Sequence, residues 1–230
     1  MALRGALTRI LGGRVGGTIF GVIQGFLHLV VGWPAYMLWG ATGGPARGVT
    51  NHFWPVAPFD NARPGADLFP GRWKRMVWLS DIGVAIAVAA LWAAVAKFGL
   101  IPVAAVYGGP YLVVNAWLVA ITWLQHTDVD VPHFDHDNWS FVKGAFHTID
   151  RPYGKVLDFL LHRIGSTHVA HHLDSSIPHY HAKEATEALA AAYPDLYLYE
   201  PTPLPLAIGR LAQRCAAVAK RGDKWVFVQE

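Results

Sequence analysis

Three long apolar stretches limit what this chain can fold into: Val15 to Trp39, Ile82 to Ala96 and Leu100 to Leu124. A helix needs about 20 apolar residues to cross the hydrocarbon core of a bilayer, fewer where flanking aromatic and basic side chains extend its reach. Burying all three inside a soluble chain of 230 residues would demand a very large polar shell. Only the C-terminal third is polar enough to supply one. With 53% hydrophobic and 15% charged residues, the composition also has a membrane-like balance. The second and third stretches are separated by little more than Lys97, Phe98 and Gly99, which predicts a transmembrane helical hairpin. Ser80-Asp81 reads as the N-cap of its first helix. Arg72, Lys74 and Arg75 just before it, with Trp73 and Trp78 at interfacial depth, place that side in the cytosol. A hairpin returns the chain to its starting side, so the residues from His126 onward would face the cytosol too. Ile101-Pro102 and Gly108-Gly109-Pro110 are tolerated in such a span where neighbours satisfy the freed backbone.

The first stretch contains five Gly, His28 and Pro34, and is compatible with a span, an interfacial helix or a re-entrant element. Arg4, Arg9 and Arg14 precede it as in a secretory signal. No small-residue cleavage site closes a compact apolar core, so a signal peptide is not expected. Cys215 is the only cysteine, which excludes an intrachain disulfide and any cysteine-based zinc or iron–sulfur site. The net charge of +3 comes without a Lys/Arg-rich run. Nucleic-acid binding is therefore not expected, and contact with anionic headgroups accounts for the basic balance.

No internal repeat or long low-complexity segment is present. The expected organisation is a single domain over residues 1–230, membrane-embedded over 15–125 and with a cytosolic cap over 126–230. Residues 40–70 form a Gly/Pro/Asn-rich connection, Ala41-Thr-Gly-Gly-Pro45 through Phe69-Pro-Gly71, whose Phe53, Trp54 and Phe59 would rest on the bilayer or core. Beyond the spans, Val129-Asp-Val-Pro-His133 reads as a turn. Phe141 to Ile149, Tyr153 to Ile164, Ala182 to Ala192 and Leu206 to Lys220 read as helices. The fold class is all-α.

Within that cap, Gly165-Ser-Thr-His-Val-Ala-His-His172 carries the chemistry. His168, His171 and His172 are spaced three and four apart, which gathers them on one helix face. Convergent imidazoles suit iron, zinc or copper; the competing reading is a polar, solvated helix end.

Four segments in order resemble the membrane fatty acid desaturases: Trp123-Leu-Gln-His-Thr-Asp-Val-Asp-Val-Pro-His133, Thr148-Ile-Asp-Arg-Pro-Tyr-Gly154, Thr167-His-Val-Ala-His-His172 and Ile177-Pro-His-Tyr-His-Ala-Lys-Glu-Ala-Thr186. Gly32-Trp-Pro and Ser80-Asp-Ile-Gly83 fit upstream. The nearest subgroup is the acyl-lipid Δ12 (ω-6, oleate) desaturases, and the resemblance runs from about Arg14 to about Pro203. It implies an O₂-dependent enzyme of the endoplasmic reticulum that inserts a cis double bond into a lipid-linked acyl chain, oleoyl to linoleoyl, at a di-iron centre. Electrons would come from NADH through cytochrome b5 or an equivalent. The implied metal ligands are His126, His168, His171 and His172. His133, His179 and Glu184 would support them, and Tyr111, Trp117 and Trp123 would line the acyl tunnel.

The family's first two histidine clusters, of H-x₃-HH and H-x₂-HH type, are not in this sequence. His28 and His52 each stand alone, and His136 and His147 read as turn or supporting residues. His162 would lie about 120° around a continuous helix from His168. The expectation is therefore a chain equivalent to the C-terminal portion of a desaturase, active only with the missing part supplied. An ω-3 desaturase, a related hydroxylase, acetylenase or epoxygenase, and a non-catalytic partner of a full-length desaturase are the alternatives. Gln125-His126-Thr127 favours the Δ12 pattern.

Overall fold

A computed structural model describes residues 2–40, 50–56, 59 and 68–228, with the His136 side chain excluded. Most of the 40–70 connection, from Ala41 to Pro45 and beyond, lies outside the described residues. The chain is mostly helical: α1 (Ala2–Leu11), α2 (Gly13–Trp39), α3 (Trp73–Phe98), α4 (Leu100–Val103), α5 (Gly109–His126), α6 (Phe141–Phe146), α7 (Lys155–Leu160), α8 (His168–Leu173), α9 (His179–Ala192) and α10 (Leu204–Arg214). Three short strands accompany them: β1 (His133–Phe134), β2 (Val218–Arg221) and β3 (Lys224–Phe227).

Three helices are long and apolar enough to cross a membrane: Gly13–Trp39, Trp73–Phe98 and the continuous rod Leu100–His126. At 1.5 Å per residue each is roughly 40 Å long, more than the hydrocarbon thickness of about 30 Å. The rod is continuous because Pro102 sits in its first turn, where a missing N–H costs nothing. The turn around Pro110, which cannot donate to the carbonyl four residues back, widens into a π-helical stretch at Ala104–Gly108. Ser80 and Asp81 do not cap α3. The helix begins at Trp73, seven residues earlier, with Arg72 before it and no side-chain cap bond. The Trp73-Lys-Arg-Met-Val-Trp-Leu run has no helix breaker, so the helix extends through the basic flank. It stops at Gly99, whose φ of 84° only glycine adopts freely.

The chain divides into two compact units, residues 28–118 and residues 1–27 with 119–230. In the first, the segment after α2 folds back on the end of that helix. Asn51 Nδ2 donates to the Leu38 carbonyl at 2.9 Å, and its Oδ1 accepts from the Phe53 and Trp54 amides. His52 packs its ring 4.6 Å from Tyr36 and 5.7 Å from Phe69. The Trp54 and Trp78 rings meet edge-on at 5.1 Å. Inside this unit Asn115 Nδ2 reaches the Leu29 and Val30 carbonyls of α2, at 2.5 and 3.1 Å.

In the second unit, α10 packs on the small-residue face of α2: a Cβ on Gly21 would meet Gln213 Cγ at 2.4 Å, and one on Gly25 would touch Ala212. The core holds Leu124, Val169 and Leu211 but is unusually polar, with Gln125, Thr148, Asp150 and Arg151 also fully buried. The three strands form one antiparallel sheet in the order β1-β3-β2. The helix expected over Leu206–Lys220 stops at Arg214, and Val218–Arg221 turns through Gly222-Asp223 into β3. A two-residue Gly-Asp loop with Gly222 at φ 65° is a hairpin turn, so all-α holds for the helices and fails for this corner. Phe141–Phe146 and Lys155–Leu160 are each shorter than the expected helices, and α9 starts three residues earlier, at His179.

Candidate metal centre

The last turn of α5 carries His126, and the six-residue helix α8 carries His168, His171 and His172. Three of the four imidazoles converge. His168 Nε2 lies 3.2 Å from His126 Nε2 and 3.0 Å from His172 Nε2. Their ring centroids are 4.6 to 5.1 Å apart. Among the described residues, this is the one group of three side chains placed to share a metal ion.

The donor set fits a transition metal. With a metal–nitrogen bond of about 2.1 Å, two nitrogens on adjacent corners of an octahedron stand ~3.0 Å apart, and on a tetrahedron ~3.4 Å. The observed separations of 3.0 and 3.2 Å match that spacing. The protonation states fit too. Burial, then the neighbouring His126, His172 and His171, push His168 down to about 2. Nδ1 of His168 faces the Ile164 carbonyl, which opposes the shift without closing a full hydrogen bond. Burial and His171 likewise lower His172. Neutral imidazoles with free lone pairs are what a cation requires.

His171 is on the same short helix but points elsewhere. Its ring lies 5.8 Å from His168 and 5.7 Å from His172, and it lines a small cavity of about 80 Å³ with His162, Thr167 and His179. His162 stands at φ 52° in the turn between α7 and α8, not on a continuous helix, and its ring is 4.4 Å from His179. His133 is half-buried on β1, edge-on to Phe227 at 5.4 Å, and burial lowers its pKa. Glu184 is 85% exposed and faces His181 at 3.6 Å. Tyr111 is exposed and stacks with Tyr107, whereas Trp123 is buried on α5. Neither cavity of α7–α9 is lined by Tyr111, Trp117 or Trp123.

The segment Thr148–Arg151 runs beside both ligand-bearing helices. The Ile149 amide donates to the Gln125 carbonyl at 2.9 Å, and the Arg151 amide to the Gly165 carbonyl at 2.7 Å. Asp150 Oδ1 accepts from the Val169 amide at 2.9 Å, and its Oδ2 from the Tyr197 hydroxyl at 2.7 Å. Burial raises the Asp150 pKa against those donors and the His168 amide. Arg151 is 1% exposed. Its Nε donates to the Leu124 carbonyl at 2.7 Å, and its Nη2 pairs with Asp128 at 2.6 Å. Nη1 pairs with Glu200. Arg210 of α10 reaches the same two carboxylates, at 2.8 and 2.6 Å. Two guanidiniums thus meet two carboxylates, and the fully buried Arg151 has an opposite charge on each side, which is the condition for keeping it inside. Asp128, Glu200, Arg210 and Tyr197 do not stand out in the sequence, because their partners are far along the chain.

Helices long and apolar enough to cross a membrane stand in one chain with three imidazoles placed to hold a metal ion. The fatty acid desaturase family profile matches residues 23–202. The Delta(12) fatty acid desaturase of Mortierella alpina is 41% identical over 210 residues, covering 91% of this chain and 50% of that protein. The omega-6 fatty acid desaturase, endoplasmic reticulum isozyme 1, of Glycine max is 38% identical over 190 residues, 83% of this chain and 46% of that protein. The acyl-lipid (9+3)-(E)-desaturase of Dimorphotheca sinuata is 36% identical over 200 residues, 86% of this chain and 50% of that protein. This chain belongs to the fatty acid desaturase family, and it spans about half the length of the curated relatives it matches. No solved structure matches it.

Proposed function

We propose that this chain takes part in O₂-dependent insertion of a cis double bond into a lipid-linked acyl chain, oleoyl to linoleoyl, in the endoplasmic reticulum membrane. The observation that carries the reading is the convergence of His126, His168 and His172 in a chain 41% identical to a Delta(12) desaturase. His126, His168 and His172 would hold one iron of a di-iron pair, and His171, turned to the other side of α8, is available to the second. Bound iron would supply the O₂ activation needed to remove hydrogen from an unactivated methylene, with electrons from NADH through a cytochrome b5-type donor. The chain's own residues keep the imidazoles neutral, exclude water around His168 and fix their direction. Spans Trp73–Phe98 and Leu100–His126 would form a hairpin that leaves the histidines on the cytosolic side. Trp123, Trp117 and Tyr111 on the second span are the tunnel residues in this reading. The remaining imidazoles of a di-iron site are supplied by polypeptide beyond these four ligands.

The test is co-expression in a host that makes oleate and no linoleate. The partner is the amino-terminal half of the Mortierella alpina relative, and the readout is gas chromatography of fatty acid methyl esters. Linoleate that disappears with His168→Ala is the expected result. Absence of any diene, with both polypeptides in the membrane and iron bound, would overturn the reading. A trans product would instead align the chain with its (E)-desaturase relative.

A further inference from the structure

We propose that Asp150 and Arg151, adjacent in the chain, act as a positioning pair that sets the register between the two helices carrying His126 and His168. The inference rests on the reading of His126, His168 and His172 as metal ligands, and assigns to the pair a part in metal affinity beyond the stability of the fold.

Neither ligand helix can fix its own end. Helix α8 has six residues, one and a half turns, and no side-chain cap from Thr167; a helix so short is unstable alone. Its entry passes through His162 and Arg163, both left-handed at φ 52° and 62°. Helix α5 ends at His126, and its last carbonyls lack partners within the helix. Asp150 supplies the missing acceptor for α8, taking the Val169 amide one residue beyond His168. Arg151 supplies the missing donors for α5. Its Nε takes the Leu124 carbonyl, and its Nη2 reaches the Thr127 carbonyl at 3.4 Å, so its side chain straddles His126. The main chain of the same residues completes the link through Ile149 to Gln125 and Arg151 to Gly165.

Two consecutive side chains thus point in opposite directions, one to each ligand helix, across an imidazole pair 3.2 Å apart. Metal sites tolerate misplacement of only about 0.5 Å, and the groups that orient ligands govern affinity by roughly 10- to 100-fold. The planar guanidinium is needed because its three nitrogens serve two carbonyls, Asp128 and Glu200 together; a lysine ammonium at the end of a flexible stem cannot reach all four. Arg210 offers an internal comparison. It shares both carboxylates but donates to no carbonyl of α5 or α8 in the bonds described.

The test uses the 230-residue chain in lipid nanodiscs, titrated with Co(II) and followed by visible absorption, with helix content read by circular dichroism. Arg151→Lys and Asp150→Ala are expected to weaken Co(II) binding tenfold or more and to alter the absorption bands while helix content is kept. Arg210→Lys is expected to stay within threefold of the unmodified chain. Unchanged affinity in both Arg151→Lys and Asp150→Ala overturns the proposal, and so does an equal loss in Arg210→Lys, which would mark the network as general scaffolding. Should Asp150→Ala lose its helices, Tyr197→Phe replaces it, removing only the hydroxyl on Oδ2. A twofold or greater loss there supports the pair, and no change overturns it. Retention of the Co(II) bands in His168→Ala would overturn the metal site and the pair together, whereas their loss there beside intact binding in the pair variants overturns the pair alone.

Discussion

Gln125 Nε2 donates to the Gly165 carbonyl at 2.6 Å, a buried bond that joins the residue before His126 to the turn three residues before His168. The same carbonyl accepts the Arg151 amide at 2.7 Å. Gly165 is therefore where α5, the Asp150-Arg151 segment and the entry to α8 come together.

Gly165→Ala is expected to be among the most disruptive single-methyl changes in the chain. A Cβ at that position would stand 2.6 Å from the Arg151 carbonyl oxygen and 2.8 Å from the Tyr153 ring. The first neighbour is backbone and cannot swing aside, so the turn must open. Overpacking of this kind costs about 1–3 kcal/mol. Gln125→Leu, which removes one donor and leaves the carbonyl with its Arg151 partner, should cost nearer 1 kcal/mol. Melting temperatures of the two variants in the same detergent rank them; equal values would contradict the steric argument.

The histidines should separate by their metal content. His168→Ala and His172→Ala each remove a nitrogen from the three-imidazole cluster and should abolish binding of one equivalent of Co(II). His171→Ala should retain it, since His171 stands apart from that cluster. Equilibrium dialysis with metal analysis reads this directly, and loss of the ion in His171→Ala would contradict the geometry.

How much of this was legible in the sequence depended on whether the cause is local. The three long apolar helices were, because hydropathy along a segment is a property of its own residues. The start of α3 was not: Ser80-Asp81 carries the chemistry of a cap, but a helix already running from Trp73 passes through it. Spacing gathered His168, His171 and His172 on one side of a helix, yet about 100° still separates the adjacent His171 and His172, and His171 stands exposed and apart from the cluster. Resemblance to known desaturases brought His126 to the same site, since nothing in the residues around it points 42 positions ahead. The charge network was least visible. Arg151 meets Asp128 and Glu200 across 23 and 49 residues, and no local pattern encodes such pairs. The Gly222-Asp223 hairpin, by contrast, had a signal in its two-residue turn that a helical reading of the tail overrode.

Cys215 should give a measurable alkaline limb to stability. Burial, then the Asp128 carboxylate, raise its thiol to about 12, against the opposing pull of Arg210, Arg151 and Arg214. The folded state thus holds the proton more tightly than the unfolded chain, whose thiol titrates near ~8.5. Its contribution is complete below that value and declines as pH rises toward about 12. The difference in melting temperature between the unmodified chain and Cys215→Ala should therefore be constant up to about pH 8 and shift steadily against the thiol form above it. Iodoacetamide at pH 8 should leave Cys215 unmodified until the chain unfolds. A pH-independent difference would remove the argument.

Pro34 and Asn115 should be energetically coupled. Pro34 lies inside α2 and has no N–H, so the Val30 carbonyl four residues earlier loses its helical donor. Within a bilayer, which this helix is long and apolar enough to cross, no water would replace it. Asn115, 1% exposed on α5, fills the gap with Nδ2 at 3.1 Å from that oxygen and 2.5 Å from the Leu29 carbonyl. Asn115→Ala alone should leave Val30 unsatisfied and destabilise by about 1–2 kcal/mol, the upper range for polar contacts between membrane helices. Pro34→Ala restores an internal donor, so in that background the same Asn115→Ala change should cost clearly less. The double-mutant cycle, read from unfolding in mixed micelles, should therefore give a coupling of several tenths of a kcal/mol or more. Additive effects would mean that the asparagine packs beside the proline without compensating for it.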